Sequence, residues 1–232
     1  MALYVDSAYL DDIVRVAQIV PLAGITTNPT ILLAAKERGQ RMPLEELVNR
    51  LLVSVSATNG TVFIQPGSMN EEEMYQHVLT CHWQVTRLGY STARLMHKLP
   101  MTPVGMSVAR RLKQTQMKHR IAFTAVTTVA QAYTAAMIGA EFVIPYYNRL
   151  LRAGVDANER IAQMAELIHK QKLPTRILAA SVKSPQEATS VLLAGVHDIT
   201  APPDVLLDMV HDPQTEEAIE KFVQDWLKMN KL

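Results

Sequence analysis

The sequence has very little cysteine and no cluster of charges of one sign. Cys81 is the single cysteine among 232 residues, so an intramolecular disulfide is excluded and a reducing, cytoplasmic compartment is expected. The 23 basic residues nearly balance the 22 acidic ones, which leaves a formal charge of +1. Because there is neither a basic excess nor a run of lysine and arginine, the composition argues against a nucleic-acid partner.

Long hydrophobic segments are also scarce. The first twelve residues contain an early aspartate and no long apolar run, so we expect no signal peptide. Residues 121–140 are uncharged and long enough to cross a bilayer. They contain several threonines, a glutamine and a tyrosine, however, and divide naturally into a strand and a helix. We therefore expect no membrane partner.

Short β-type segments alternate with helical patterns along the whole chain, which is typical of βα units around a parallel sheet. Eight such units in 232 residues predict one domain over residues 1–232, an α/β (β/α)8 TIM barrel with an extra C-terminal helix at about 213–230. A doubly wound open sheet is the alternative. The predicted strands are Leu3–Asp6, Ile25–Asn28, Thr61–Gln65, Ala93–Lys98, Ile121–Thr124, Phe142–Tyr146, Arg176–Ser181 and Asp198–Ala201.

Glycines and capping residues mark the predicted boundaries. A glycine stands before four of the strands, where it is expected to end the preceding helix in a left-handed conformation. These glycines are Gly24, Gly89, Gly139 and Gly195. Polar residues predict helix starts. They are Asn70, Thr102, Ser184 and Asp212.

Each of the first seven predicted strands ends in a polar residue. In a parallel barrel the active site lies at the carboxyl ends of the strands, so these side chains are expected to share one rim. Such regularity is not typical of random surface polarity. The residues are Asp6, Thr26 to Asn28, Gln65, Lys98, Thr124, Tyr146 and Ser181, with Arg149 shortly after Tyr146.

Lys98 is the pivotal member because apolar residues flank it in the segment LMHKLP. Burial favours the neutral, nucleophilic form of a lysine amine, which can form an imine with a ketone. The resulting iminium accepts electrons when a neighbouring C–C bond breaks. The alternative is a strand-end lysine whose ammonium reaches solvent.

The other rim residues have both functional and structural interpretations. Asp6 could transfer a proton or cap a turn, and Arg149 could bind a phosphate or form a surface ion pair. Ser181 could add a hydroxyl donor, and the neutral rim groups could position a water. Taken singly, each is more often a satisfied structural residue.

One segment of the sequence has the residue types that bind metals. His77, Cys81 and His82 lie at i, i+4 and i+5 on a predicted helix. No fourth ligand is apparent, and a single cysteine is often simply buried. The sequence therefore predicts no metal site.

The motifs together resemble one family, the small transaldolase-like fructose-6-phosphate aldolases, over nearly the full length. The block GITTNP and the segment HKLP are its most specific motifs. The matching segments are LYVDS (3–7), PLAGITTNPTI (21–31), VFIQ (62–65), HKLPMTPVGMSVARRLK (97–113), GAEFVIPYYNR (139–149), ILAASVKSPQEA (177–188), LLAGVHDITAPPDVL (192–206) and FVQDW (222–226).

The resemblance implies a barrel enzyme without metal or organic cofactor, acting on a sugar phosphate or hydroxyketone donor and an aldehyde acceptor. It also implies a homo-oligomer, a pentamer or decamer, whose C-terminal helix reaches a neighbour. By resemblance, the residue roles are Lys98 as Schiff-base lysine, Asp6 as the first-strand aspartate, Thr26 and Asn28 as donor contacts, Gln65, Thr124 and Tyr146 as water-holding groups, and Arg149 and Ser181 as phosphate contacts.

Two positions favour the aldolase branch. Transaldolases usually carry Glu where Gln65 stands and Phe where Tyr146 stands. A tyrosine hydroxyl can help protonate the bound enamine and release free dihydroxyacetone. The expected function is a class I aldolase cleaving fructose 6-phosphate or a related ketose phosphate. Transaldolase activity with the same lysine is the first alternative, and a non-catalytic sugar-phosphate-binding barrel is the second.

Three loops depart from the family pattern, and all follow rim residues. They are 66–68 after Gln65, 127–128 after Val126, and 150–158 after Arg149. The preferred donor and acceptor are therefore left open.

Overall fold

The computed structural model describes residues 1–230, and its centre is a closed barrel of eight parallel strands in chain order. The first strand pairs with the last, with Leu3 beside Ile199. This closure confirms the (β/α)8 TIM barrel and excludes the doubly wound open sheet, which would leave two edges. The strands are β1 (Ala2–Asp6), β2 (Leu22–Thr26), β3 (Thr61–Ile64), β4 (Leu95–Pro100), β5 (Ile121–Val126), β6 (Phe142–Pro145), β7 (Arg176–Ala179) and β8 (Asp198–Ala201).

Helices surround the barrel and cover the outward faces of its strands. Their apolar residues, with those of the outward strand faces, form one large buried core. The helices described within residues 1–230 are α1 (Leu10–Ala17), α2 (Pro29–Glu37), α3 (Leu44–Ser54), α4 (Glu71–Arg87), α5 (Pro103–Lys113), α6 (Val129–Met137), α7 (Tyr147–Arg152), α8 (Ala157–Lys170), α9 (Pro185–Leu193), α10 (Pro203–Asp208) and α11 (Pro213–Met229). A short 3₁₀ turn, Thr92–Arg94, precedes β4.

All eight predicted strands are present, and the differences lie at their ends. The prediction extends the second strand to Asn28, whereas β2 ends at Thr26. Asn28 instead caps α2, because its side-chain oxygen accepts a hydrogen bond from the Ile31 amide. The fourth strand begins later than predicted because residues 92–94 form the 3₁₀ turn.

Three of the four glycines predicted to end helices have the expected left-handed backbone. Gly89, Gly139 and Gly195 have φ of +80°, +77° and +93°. The prediction is wrong for Gly24, which lies inside β2. A Cβ atom there would lie 2.0 Å from the carbonyl oxygen of Thr61 on β3, so the close approach of two strands requires glycine.

The predicted helix starts are confirmed. The side chains of Asn70, Thr102, Ser184 and Asp212 each accept a hydrogen bond from a backbone amide in the first turn of α4, α5, α9 and α11. Residues 121–140 divide into β5 and α6 as predicted. Among the helices described in residues 1–230, none combines the length and apolarity needed to span a membrane.

Aromatic rings fill the inside of the barrel. Tyr4, Phe63 and Phe142 meet edge to face, with ring centroids 5.4 to 6.4 Å apart. Such arrangements are favourable for aromatic quadrupoles. Burial, with the nearby charge of Asp198, raises the pKa of Tyr4 to about 12. The barrel is thus a packed core rather than a channel.

Charged groups at the amino ends of the strands pair with one another. Arg176 donates two hydrogen bonds of 2.8 Å to the fully buried carboxylate of Asp198. Arg120 similarly contacts both carboxylate oxygens of Glu141. Because each of these charged groups is hydrogen-bonded to its partner, the pairs stabilise the amino end of the barrel. Active sites of such barrels lie at the opposite, carboxyl end of the strands.

Candidate active site

Lys98 lies near the carboxyl end of β4, and its side chain points into the barrel mouth. Only 1 % of the residue is exposed, and its Nζ donates a hydrogen bond of 3.2 Å to the carbonyl oxygen of Thr27. A snorkelling lysine would hold its ammonium in solvent. This amine is instead withdrawn from bulk water at the barrel mouth, and a lysine amine in such a position can attack a bound carbonyl group.

A cavity of about 520 Å³ opens at the carboxyl end of the strands and reaches Lys98. Its volume suits a small-molecule ligand. Eight of the nine predicted site residues line it, namely Asp6, Asn28, Gln65, Lys98, Thr124, Tyr146, Arg149 and Ser181. These residues are spread over 176 positions of the sequence, from 6 to 181. The fold brings them to one cavity because the strands end on the same rim, as predicted.

Thr26 is the predicted site residue that does not line the cavity. It is fully buried, and its hydroxyl donates a hydrogen bond of 2.6 Å to Asp6 Oδ1. The same hydroxyl lies 2.6 Å from that of Thr200 on β8, which the sequence did not single out. The observed contacts of Thr26 therefore position the Asp6 carboxylate.

The neutral polar side chains of Gln65, Thr124 and Tyr146 differ in their hydrogen bonding. The Thr124 hydroxyl donates a hydrogen bond of 2.9 Å to the Tyr146 hydroxyl, which fixes both at the rim. Within the described part of the chain, the buried Oε1 of Gln65 has no hydrogen-bond partner. A buried acceptor of this kind usually binds a ligand or an ordered water. These groups can thus hold a small polar molecule beside Lys98.

Positive charge dominates one side of the cavity. Arg149 and Arg152 project from α7, and Lys183 follows Ser181 beyond β7. Among the residues of 1–230 that line this cavity, Asp6 is the single carboxylate. The potential therefore favours an anionic ligand. The sequence did not single out Arg152 and Lys183. The spacing of three residues from Arg149 on a helix could have indicated Arg152, whereas the left-handed backbone of Ser181 removes any simple periodicity that would indicate Lys183.

Tyr146 lies between the buried amine and this basic side. Its ring centroid is 6.0 Å from Lys98 Nζ and 5.0 Å from the guanidinium carbon of Arg149. A π-face at these distances attracts cations. The Tyr146 ring is therefore close to both the amine of Lys98 and the guanidinium of Arg149, and the residue lines the cavity.

Two non-glycine residues at the rim have a left-handed backbone. Ala125 has φ of +58° and Ser181 has φ of +60°, and both line the cavity. Ala125 interrupts the register between β5 and β6. Such a conformation costs about 1 kcal/mol or more and concentrates at functional sites. Here it turns the chain directly after Thr124 and at Ser181.

The three departing loops have local structural roles. Thr128 and Gln131 form a reciprocal capping box at the start of α6. Asp156 caps α8 by accepting a hydrogen bond from the Glu159 amide, and the Ser68 hydroxyl donates to Glu73. Of the residues in these loops, Arg152 is the one that lines the cavity within the described part of the chain, and the polar groups of the cavity are retained.

Two comparisons with known proteins bear on the family and on the fold of the chain. The family model described as Transaldolase/Fructose-6-phosphate aldolase matches residues 3–232. Among solved structures, thiamine phosphate pyrophosphorylase from Pyrococcus furiosus superposes with a TM-score of 0.59 at 13% sequence identity, over 88% of this chain and 87% of that one. At this identity the structural likeness shows the barrel fold alone.

Proposed function

Because the chain belongs to the transaldolase/fructose-6-phosphate aldolase family, we propose that it is a class I aldolase acting through an imine on Lys98. The proposed reaction is the reversible cleavage of fructose 6-phosphate, or a related ketose phosphate, to dihydroxyacetone and glyceraldehyde 3-phosphate. The observation that carries the proposal is a lysine amine buried at the end of an anion-attracting cavity.

The first step joins the amine to the substrate ketone. The neutral Nζ of Lys98 attacks the C2 carbonyl carbon, and the resulting carbinolamine loses water to form a protonated imine. Lys98 is buried and lines the cavity, which supports this step because its amine is held where a bound ketone can reach it. Asn28 lines the cavity and is proposed to orient the donor hydroxyls.

The second step breaks the C3–C4 bond. Asp6 accepts the proton of the C4 hydroxyl, the aldehyde departs, and the bonding electron pair moves into the iminium to give an enamine. The short bond from Thr26 supports this role because it fixes one carboxylate oxygen and leaves the other for the substrate. Thr26 is thus proposed as a positioning residue.

The third step protonates the enamine at C3 and hydrolyses the imine, which releases dihydroxyacetone and restores the amine. We propose that Gln65, Thr124 and Tyr146 hold the water that delivers this proton. Two observations support this assignment: the Thr124–Tyr146 hydrogen bond, and the Gln65 Oε1, which has no hydrogen-bond partner among residues 1–230. With an apolar residue in place of Tyr146, the enamine would wait for an acceptor aldehyde, which is transaldolase chemistry.

The phosphate of the substrate is proposed to bind on the basic side of the cavity. Arg149 and Ser181 lie there, and Arg152 and Lys183 extend the positive region. An arginine guanidinium can donate two parallel hydrogen bonds to a phosphate. The phosphate would thus anchor the aldehyde half of the substrate while Lys98 holds the ketone half.

The experiment that tests the aldolase proposal measures free dihydroxyacetone from fructose 6-phosphate, with and without erythrose 4-phosphate. We expect release at a similar rate in both reactions, because Tyr146 and its water complete the cycle without an acceptor. Formation of sedoheptulose 7-phosphate when erythrose 4-phosphate is present, with no free dihydroxyacetone in either reaction, would instead identify a transaldolase, because the three-carbon unit is then transferred and not released.

We also propose that the chain is a homo-oligomer in which α11 packs on a neighbouring copy. Every residue of α11 is exposed, yet one face carries an apolar stripe. A helix with such a face normally buries it. The stripe comprises Ile219, Phe222, Val223, Trp226 and Leu227, each more than half exposed.

Sedimentation of the full chain tests this proposal. We expect an oligomer for the wild type and smaller species for Phe222→Asp/Trp226→Asp, because two buried charges would oppose association. Glu220→Lys on the same helix is the matched control. A wild-type monomer, or an unchanged oligomer in the double variant, contradicts the proposed interface.

A further inference from the structure

Three buried histidines meet outside the proposed active site. His82 lies on α4, His97 on β4, and His119 in the segment that leads into β5. Their exposed fractions are 8%, 2% and 5%. One ligand atom of each histidine lies within 4.8 Å of the other two, and the rings of His82 and His119 have centroids 4.6 Å apart. Imidazole side chains from three separate elements thus lie close together.

The cluster lies on the opposite face of β4 from the cavity. Successive side chains of a strand point to opposite faces. Lys98 points into the barrel mouth, so its neighbour His97 points outward toward α4. None of the three histidines is among the residues that line the cavity around Lys98. The cluster is therefore separate from the aldolase chemistry.

The hydrogen bonding of the cluster is incomplete. Within the part of the chain that the structure describes, both buried ring nitrogens of His119 have no hydrogen-bond partner. A buried polar atom without a partner costs about 1–3 kcal/mol. A cluster that served only to fill space would be better built from apolar side chains. The arrangement therefore points to a ligand that binds imidazole nitrogen.

The electrostatic environment favours neutral imidazoles, the form that binds metal ions. Burial, with the charges of His82 and Lys113, lowers the pKa of His119 to about 4. Burial also lowers the pKa of His97 well below its usual value. Lys113 opposes a cation, but it is exposed and its charge is screened by solvent.

We propose that His82, His97 and His119 form a Zn²⁺ site, with a solvent molecule as the fourth ligand. Imidazole nitrogen suits zinc, and three protein ligands with one open position are common in zinc proteins. Tetrahedral Zn–N bonds of about 2.0–2.1 Å require nitrogens roughly 3.3 Å apart. The proposal therefore requires the side chains to rotate so that their nitrogens, now within 4.8 Å of one another, move to that distance.

The spacing of metal-binding residue types along the chain indicates a different group, His77, Cys81 and His82. The fold uses only His82 from that group and adds two histidines from later elements. Burial raises the pKa of the Cys81 thiol to about 11, so the thiolate that binds zinc is disfavoured. The site could not be identified from helical periodicity because its ligands come from three elements.

The proposed ion would link α4 to β4 and to the entry of β5. Because the ion binds the folded arrangement and not the unfolded chain, it stabilises the fold by mass action. His97 adjoins Lys98, so the link also fixes the strand that carries the proposed catalytic amine. The consequence is a measurable rise in thermal stability that does not depend on any assay of activity.

The test uses tag-free full-length protein stripped with a chelator and titrated with Zn²⁺. We expect one ion per chain by native mass spectrometry. We also expect a rise in Tm of about 5 °C or more at a hundredfold excess over Kd. Titration with Co²⁺ should give the intense visible absorption of a four-coordinate site. Chelation should reverse the rise in Tm.

The variants His97→Gln and His119→Gln should each lose the ion and the rise in Tm, whereas the exposed His211→Gln should retain both. Circular dichroism of the metal-free variants checks their folding. His119 lies in the segment before β5 and not inside a strand. The His119→Gln variant therefore tests the proposal if His97→Gln does not fold. Failure of the wild type to bind zinc, or unchanged binding by His119→Gln, would overturn the proposal.

Discussion

Lys98→Met is expected to lower kcat/KM for cleavage of fructose 6-phosphate on the order of 10⁴-fold or more. Methionine fills much of the same volume but cannot form an imine, so the electron sink for C–C cleavage is lost. Removal of a covalent nucleophile typically has effects of this size. Steady-state kinetics of dihydroxyacetone release measure the change, and thermal denaturation checks that the variant is folded.

The matched control is Lys118→Met, at an exposed lysine outside the cavity. It should retain wild-type activity. A Lys98→Met enzyme within tenfold of wild type would show that the amine is not the nucleophile, even if the cavity remains the substrate site.

Tyr146→Phe is expected to lower the release of free dihydroxyacetone roughly 10²-fold, a typical contribution from proton transfer by a positioned side chain. The substitution removes the hydroxyl that bonds to Thr124 and retains the ring between Lys98 and Arg149. The imine and enamine should still form, so transfer to erythrose 4-phosphate should fall much less. The ratio of transfer to release is the diagnostic quantity.

The neighbouring tyrosine supplies the control. The Tyr147 hydroxyl bonds to Asn158, and Tyr147 does not line the cavity. Tyr147→Phe should leave the ratio of transfer to release unchanged. If Tyr146→Phe slowed both reactions equally, the hydroxyl would act before the enamine, and its proposed role in protonation would be wrong.

Features with a fixed geometric rule could be predicted from the sequence. Alternation of strand and helix patterns predicted the barrel, and helix-capping residues predicted where helices begin. The rule that parallel strands end on one rim placed Lys98 beside residues from six other strand ends. The family resemblance agreed, and the family model now extends it over residues 3–232.

Features that depend on packing between distant elements could not be predicted. The sequence does not show whether a polar strand-end residue faces the cavity or a neighbour, and Thr26 faces Asp6. The same limit applies to Thr200, which meets Thr26 across the β1–β8 closure. The sequence pattern around Gly24 is typical of a helix terminus, whereas the structure requires glycine there because β2 and β3 approach closely at Thr61.

Reductive trapping tests the central claim most directly. The protein is incubated with dihydroxyacetone and sodium borohydride, digested and analysed by peptide mass spectrometry. We predict a single reduced three-carbon adduct on the peptide that contains Lys98. Lys183 lines the same cavity and is the internal comparison. Failure to trap any adduct, or an adduct on Lys183 with Lys98 unmodified, would contradict the account.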